Sequence, residues 1–418
     1  MRIMIRKNMK KFAIYIAMSM LSVTLFSGCG TEKEKVTLSM WGSQEDQEML
    51  GEMVAAFKEE YKDEADFDIT ISEESEVTCK ETVLINPEKA ADVYIFADDQ
   101  FRSLCQNNAL HEVTENVDEI IKANGGKDSA AIESASYDGK LYAYPMTSSN
   151  GYFLYYNKGY FTEEDVKSFD KMLEIAEKNG KKVAMDFTGG WYLYSFFKGA
   201  GLNVEINEDG LTNTCDWNTT EGKYKGVDVA EAMCKIVSST GFLNCGDADF
   251  VQGAKDGTII AGINGAWNSK KMEEAYGDNY AATKLPEYSI AGDSVQMHSF
   301  GGYKLVGVNA YTQNEKWAQR LAQWITNEEN QMKRFEKRGD CPSNVNAAAS
   351  KEVSDSPAIA ALVSQSEYAH IQRVSDSFWM PVYVYGTTIT AGNLDEKNLQ
   401  DLLDQMVKDI TAPPKENK

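Results

Sequence analysis

The sequence predicts an α/β protein of two lobes, each a mostly parallel sheet flanked by helices. Segments that alternate apolar and polar residues are interleaved with segments of helical periodicity, the pattern of strand–helix–strand units. That pattern restarts after residue 150, beyond a short polar run, so a second sheet begins there. About 390 residues follow a leader-like N-terminus, more than one hydrophobic core commonly serves.

The leader comes first. The chain starts MRIMIRKNMKK, with five cationic residues and no acid, then runs through the apolar FAIYIAMSMLSVTLF to SGC. A basic start, an apolar stretch of about fifteen residues and small residues before a cleavage point describe a secretory signal peptide over residues 1–28. A membrane span needs roughly twenty apolar residues, so a transmembrane helix is the weaker reading. Phe26-Ser27-Gly28-Cys29 resembles a bacterial lipobox, with Phe26 where Leu is usual. On that resemblance Cys29 carries a lipid that holds the protein to a membrane, and residues 29–35 form a tether.

Loss of the leader takes the net charge from −22 to about −27. So acidic a chain repels nucleic acid and offers no basic groove, which argues against nucleic acid as a partner. Hydrophobic residues make up 43% of the chain, enough for ordinary globular cores. Besides Cys29 there are six cysteines, with no CxxC and no metal-like spacing, and no particular pairing is singled out.

Val36–Trp41 alternates as a first strand, and Ser43 with Asp46 gives a weak capping box for a helix carrying Met49, Leu50, Met53, Val54, Phe57 and Tyr61. Phe67–Ile71 and Ala91–Phe96 are further strands. Ligands of parallel sheets gather beyond the carboxyl ends of strands, which marks Trp41–Asp46 and Phe96–Gln100. Asp138-Gly139 turns a hairpin within Tyr137–Pro145. The soft run Thr147–Gly151 is a plausible lobe-to-lobe crossing, and Tyr152–Tyr156 is apolar on both faces, as a buried strand would be.

Beyond it, Thr162 and Asp165 start a helix whose apolar face includes Val166, Phe169, Met172, Leu173 and Ala176, stopping at Asn179-Gly180. Lys182–Phe187 is a strand and residues 191–200 an aromatic helix. One long helix is expected around residues 313–338, with Trp317, Leu321, Trp324 and Ile325 on its core face, ending at Gly339. Residues 412–418 form a polar tail.

The commonest signatures of phosphate binding, zinc proteolysis and serine hydrolysis, GxxxxGK[ST], HExxH and GxSxG, are absent from the sequence. Its three histidines, 111, 298 and 370, lie far apart along the chain, so neither a metal nor a cofactor is expected. Residues 205–216 faintly echo a calcium loop but suit a hairpin turn better. Glu45 with Asp46, or Asp98 with Asp99, could supply a glycosidase's acid and nucleophile. Acceptance of hydrogen bonds from ligand hydroxyls is the preferred reading of these acids.

Several segments together resemble the maltose- and oligosaccharide-binding proteins of ATP-driven importers, the extracellular solute-binding family 1. They are VTLSMWGSQEDQEML, ADVYIFADDQFRSL, YDGKLYAYPMTSSNGYFLYYNK, VAMDFTGGWYLYSFFKGAG, GTIIAGINGAWNSKKM, SFGGYKLVGVNA, GDCPSN and SDSFWMPVY, in order over nearly the whole chain after the leader. The resemblance implies a periplasmic-binding-protein-like fold, with residues 36–148 and 291–344 in lobe 1 and residues 149–290 and 345–418 in lobe 2. It also implies a binding protein rather than an enzyme, working as a monomer.

Carried over by position, Glu45, Asp46 and Asp99 accept hydroxyl hydrogen bonds, with Phe96 and Gln100 beside Asp99 and with Asn150 at the hinge. Trp191, Tyr194, Trp267 and Trp379 offer flat faces. A pyranose has C–H faces and a hydroxyl rim, so aromatic plates edged by carboxylates suit it. Asn150 stands where maltose binders commonly have Glu, and Gln100 where they have Arg. The implied ligand is an oligosaccharide, an α-glucan by its aromatic plates, delivered to a permease on the outer face of the bacterial cytoplasmic membrane. A tethered glycoside hydrolase, or the same fold with a polyamine or peptide cargo, are the alternatives.

Overall fold

The structure, a computed structural model, describes residues 33–392 and 398–413. The signal peptide expected at 1–28 and Cys29, expected to carry a lipid, lie outside the described residues, as does most of the expected tail.

The chain lays down β1 (Glu34–Gly42), β2 (Ala65–Glu73), β3 (Val93–Ala97) and β4 (Ala143–Thr147) before leaving the first lobe. It then builds β5 (Tyr152–Asn157), β6 (Lys182–Met185), β7 (Phe242–Asn244), β8 (Ile259–Gly265) and β9 (Tyr280–Thr283), and returns with β10 (Lys304–Val308). The first sheet has the order β2-β1-β3-β10-β4 and the second β7-β6-β8-β5-β9. In each sheet one strand opposes its neighbours: β10 in the first, β5 in the second. The other pairings, β1 with β2 and β3, β6 with β7 and β8, are parallel.

The two reversed strands are those the chain enters directly from the other lobe. A strand entered at the crossing runs away from the gap between lobes, whereas one reached over a helix runs toward it. The carboxyl ends of β1, β3, β6, β7 and β8 therefore meet at that gap, where parallel sheets collect ligands.

Strand β5 shows why its sequence has no polar face. Tyr152, Leu154 and Tyr156 enter one apolar cluster, while Phe153 and Tyr155 enter the cluster on the opposite face. Their hydroxyls are not stranded: Tyr152 Oη donates to the Trp191 carbonyl at 2.8 Å and Tyr155 Oη to the Gly265 carbonyl at 2.8 Å. An unpaired buried hydroxyl would cost about 1–3 kcal/mol.

Three chain passages lie side by side between the lobes. Asn150 N–H donates to the Gly302 carbonyl at 3.2 Å, and Ser148 N–H to the Cys341 carbonyl at 2.9 Å. Cys341 N–H in turn donates to Ser149 Oγ at 2.8 Å.

Some local expectations are corrected. Residues 291–301, expected in the first lobe, pack with the second: Val295, Met297 and Phe300 join its core, and Ser299–Gly301 pairs with Ala369–Ile371. Apolar burial at 295, 297 and 300 moves the return crossing past Gly301. The single long helix is two, Glu315–Ile325 and Glu328–Arg338, because Asn327 caps the second by accepting from Asn330 N–H at 2.8 Å. Gly339 closes it with φ of 79°, a left-handed conformation that costs glycine little. Trp317 and Trp324 pack with the first core. Ser43 makes no side-chain cap, and a short 3₁₀ turn, Gln44–Asp46, precedes the helix Gln47–Glu60. Val204–Ile206 and Asn213–Cys215 pair antiparallel, so residues 205–216 are a hairpin.

Candidate functional site

A cavity of about 830 Å³ opens between the lobes, within the usual span of small-molecule sites, about 300–1,000 Å³. From the first lobe, Ser43 and Glu45 reach it just past β1, and Asp99 and Gln100 just past β3. From the second, Asp186, Asp247 and Trp267 follow β6, β7 and β8. Asn150 lines it from the crossing.

Local chemistry fixes the aromatic plates. Asp186 Oδ1 accepts from Thr188 N–H at 2.8 Å and from Thr188 Oγ1 at 2.6 Å, shaping the turn into the helix Gly190–Gly199. Gly190 must be small, since an added Cβ would lie 2.9 Å from the Phe378 ring. The next residue, Trp191, then faces the cavity with its ring edge-on to Tyr152 at 5.6 Å and tilted on Phe300 at 5.5 Å. Trp267 lies flat over Gly265, where a Cβ would come within 2.1 Å of the indole. Its Nε1–H donates to Asp247 Oδ2 at 2.6 Å, which holds the ring's rotation. Trp379 opens the helix Trp379–Thr390 and leans edge-on against Phe378 at 5.0 Å.

Glu45, Asp99, Gln100, Asn150, Trp191, Trp267 and Trp379 thus come together, although their sequence positions span most of the chain. Three other expected residues stand elsewhere. Asp46 is 1% exposed and paired with Arg334 and Arg338, because the 3₁₀ turn points its carboxylate back into the lobe. Phe96 is buried in the first core beside Tyr94. Tyr194 stacks on Phe300 with centroids 3.7 Å apart, which turns its ring to the second core.

Gln100 lines the wall, yet its amide is committed to the neighbouring segment. It donates to the Glu76 carbonyl at 2.6 Å and the Val77 carbonyl at 3.0 Å, and accepts from Lys80 N–H at 2.8 Å. It therefore positions residues 76–80, which carry Glu76, Val77, Thr78 and Lys80 into the cavity.

Residues the sequence reading missed include Tyr192, Asp186, Asp247, Lys80, Asp376 and Gln372. Asp186 and Asp247 follow strand ends in the second sheet, so the rule that marked Trp41–Asp46 applies to them too. His298 and His370, distant in sequence, meet edge to edge in nearly one plane, with Nδ1 and Nε2 2.9 Å apart, outside the cavity lining.

The site's charges are unevenly matched. Lys304 pairs with Glu76 at 2.8 Å, and Lys80 with Asp376 at 2.6 Å and Glu81 at 3.3 Å. Burial pushes Asp98 up to about 6, against the pull of Arg373, whose Nη1 is 3.7 Å away. Burial and then the neighbouring Asp98 carry Asp99 up to about 7. Burial also opposes ionisation of Asp46, but Arg334, Lys304 and Arg338 outweigh it and hold that carboxyl below the usual range. The arrangement is a slot with flat apolar plates on one lobe and hydrogen-bonding acids on both.

The sequence profile of the family described as bacterial extracellular solute-binding protein matches residues 52–361. A galactooligosaccharide-binding protein of Bacillus subtilis (strain 168) is 26% identical over 425 residues, covering 94% of this chain and 96% of its own. A structure solved with acarbose superposes with a TM-score of 0.76 at 29% identity, over 90% of this chain and 99% of its own. A maltodextrin-binding protein from L. casei BL23, solved without ligand, gives 0.73 at 25% identity over the same shares.

Proposed function

The chain belongs to the bacterial extracellular solute-binding proteins, and from that premise we propose that it captures an oligosaccharide between its lobes and passes it to the permease of an ATP-driven importer. It is a binding protein, not an enzyme. The observation that carries the ligand class is the set of Trp191, Trp267 and Trp379 facing the first lobe's Glu45 and Asp99 across one cavity. Sugar rings stack their C–H faces on such plates, and the acids at the rim hydrogen-bond to the hydroxyls.

The favoured ligand is an α-glucan, supported by the likeness to the structure solved with acarbose and to the maltodextrin-binding protein. A galacto-oligosaccharide is the second reading, favoured by the Bacillus subtilis relative. Capture works by closure. A ligand touching both lobes binds the closed state more tightly than the open one and shifts the population by that difference. The protein works as a monomer, tethered outside the cell through a lipid on Cys29 after removal of residues 1–28, so the cleft stays near the membrane.

Tryptophan-fluorescence titration of protein starting after Cys29, with malto- and galacto-oligosaccharides in separate series and in competition, tests this. A saturable change with one class, weakened by Trp267→Ala, is the expected result. Flat traces with both classes would overturn the ligand assignment.

A further inference from the structure

The helix Trp379–Thr390 holds no charged residue, in a chain where 25% of residues are charged. Its inner face, with Val382, Tyr385 and Ile389, is buried in the second core. Its outer face is apolar as well: Met380 is 66% exposed, Tyr383 51% and Val384 57%. Exposed apolar residues gathered in this way mark a contact surface. The helix opens on Trp379, which lines the cavity.

Residues four apart share a helix face and stand just over one turn, roughly 6 Å, apart along the axis. Tyr383 is therefore an exposed aromatic ring one turn beyond Trp379 on the same side of the helix. That step is comparable with the advance of one sugar unit along an oligosaccharide. A phenol ring has an apolar face and a polar edge, the same combination that suits the three tryptophans to a pyranose. Continuity with a cavity-lining plate favours the far end of the ligand as the occupant of this stripe.

We propose that Tyr383, with Met380 beside it, extends the binding site past Trp379 and takes a further sugar of ligands too long for the cavity. The proposal rests on the oligosaccharide reading above. Its test is calorimetry of wild type, Tyr383→Ala and Tyr383→Phe with maltose through maltoheptaose and galacto-oligosaccharides of matching length. The shortest ligand bound should be held by all three proteins within about twofold, whereas Tyr383→Ala should lose about five- to tenfold with the longest and Tyr383→Phe should keep it. Equal loss at every length, or no loss at any, overturns the proposal while the oligosaccharide reading stands. Unchanged binding with lowered uptake through the permease also overturns it and assigns the stripe to a protein contact. If neither series binds the wild type, the oligosaccharide reading falls and this extension with it.

Discussion

Lys80 of the first lobe donates to Asp376 of the second at 2.6 Å, an ion pair that spans the cleft. Lys80 is almost buried, held by its backbone bond to Gln100, whereas the Asp376 side chain is 79% exposed. The pair exists only while the lobes are together, so it contributes to the closed state alone. With one partner so exposed its contribution is at most about 1 kcal/mol.

Asp376→Asn should accordingly shift the ligand-free protein toward open forms and lower ligand affinity by up to about fivefold. Small-angle scattering would show a larger radius of gyration for the variant at low salt. The difference should shrink as salt screens the pair in the wild type.

Gln100→Ala removes three hydrogen bonds that hold residues 76–80. The carbonyls of Glu76 and Val77 lose their donor, so urea unfolding should show a loss of about 1–3 kcal/mol. Ligand affinity should fall as well, since the segment lines the cavity.

At Gly265 the backbone passes directly beneath the Trp267 indole. Gly265→Ala should displace that ring and break its bond to Asp247 without exposing core. We expect affinity to fall by about tenfold, or about 1.4 kcal/mol, in calorimetry. Near-ultraviolet circular dichroism should change while the far-ultraviolet spectrum does not.

Asp98 and Asp99, raised to about 6 and about 7, set a pH dependence whose sign is fixed. Their folded values lie above the unfolded carboxylate range, so between about pH 4 and 7 the folded state binds more protons. Their contribution to stability is fully present below that window and is lost as pH rises through 6 to 7. Asp99→Asn should therefore stabilise the protein at pH 8 and have little effect at pH 4. Thermal unfolding of both proteins across that range measures it.

Much of the fold and part of the site are legible in the sequence, for physical reasons. Strand alternation and the carboxyl-end rule lead to Glu45 and Asp99, because backbone geometry delivers the residues just past a parallel strand to one edge of the sheet. The doubly apolar Tyr152–Tyr156 announces a strand covered on both faces. Periodicity does not say which way a short turn points its side chains, and so it leaves Asp46 in the cleft although Arg334 and Arg338 hold it inside. Tyr194 is misplaced for a related reason: Phe300, far away in sequence, supplies the ring it stacks on. Lys80 and Asp376 carry no local signal at all, since their meaning comes from contact across the cleft.

Oligosaccharide capture is tested most directly by isothermal titration calorimetry of the wild-type protein, starting after Cys29, with maltotriose, a galactotriose and spermidine in turn. One saturable site with 1:1 stoichiometry is expected for a trisaccharide, lost in a Trp191→Ala, Trp267→Ala double variant, with no binding of spermidine. Heat with spermidine alone, and none with either sugar, would contradict capture of a sugar and give the acidic cleft to a cationic cargo.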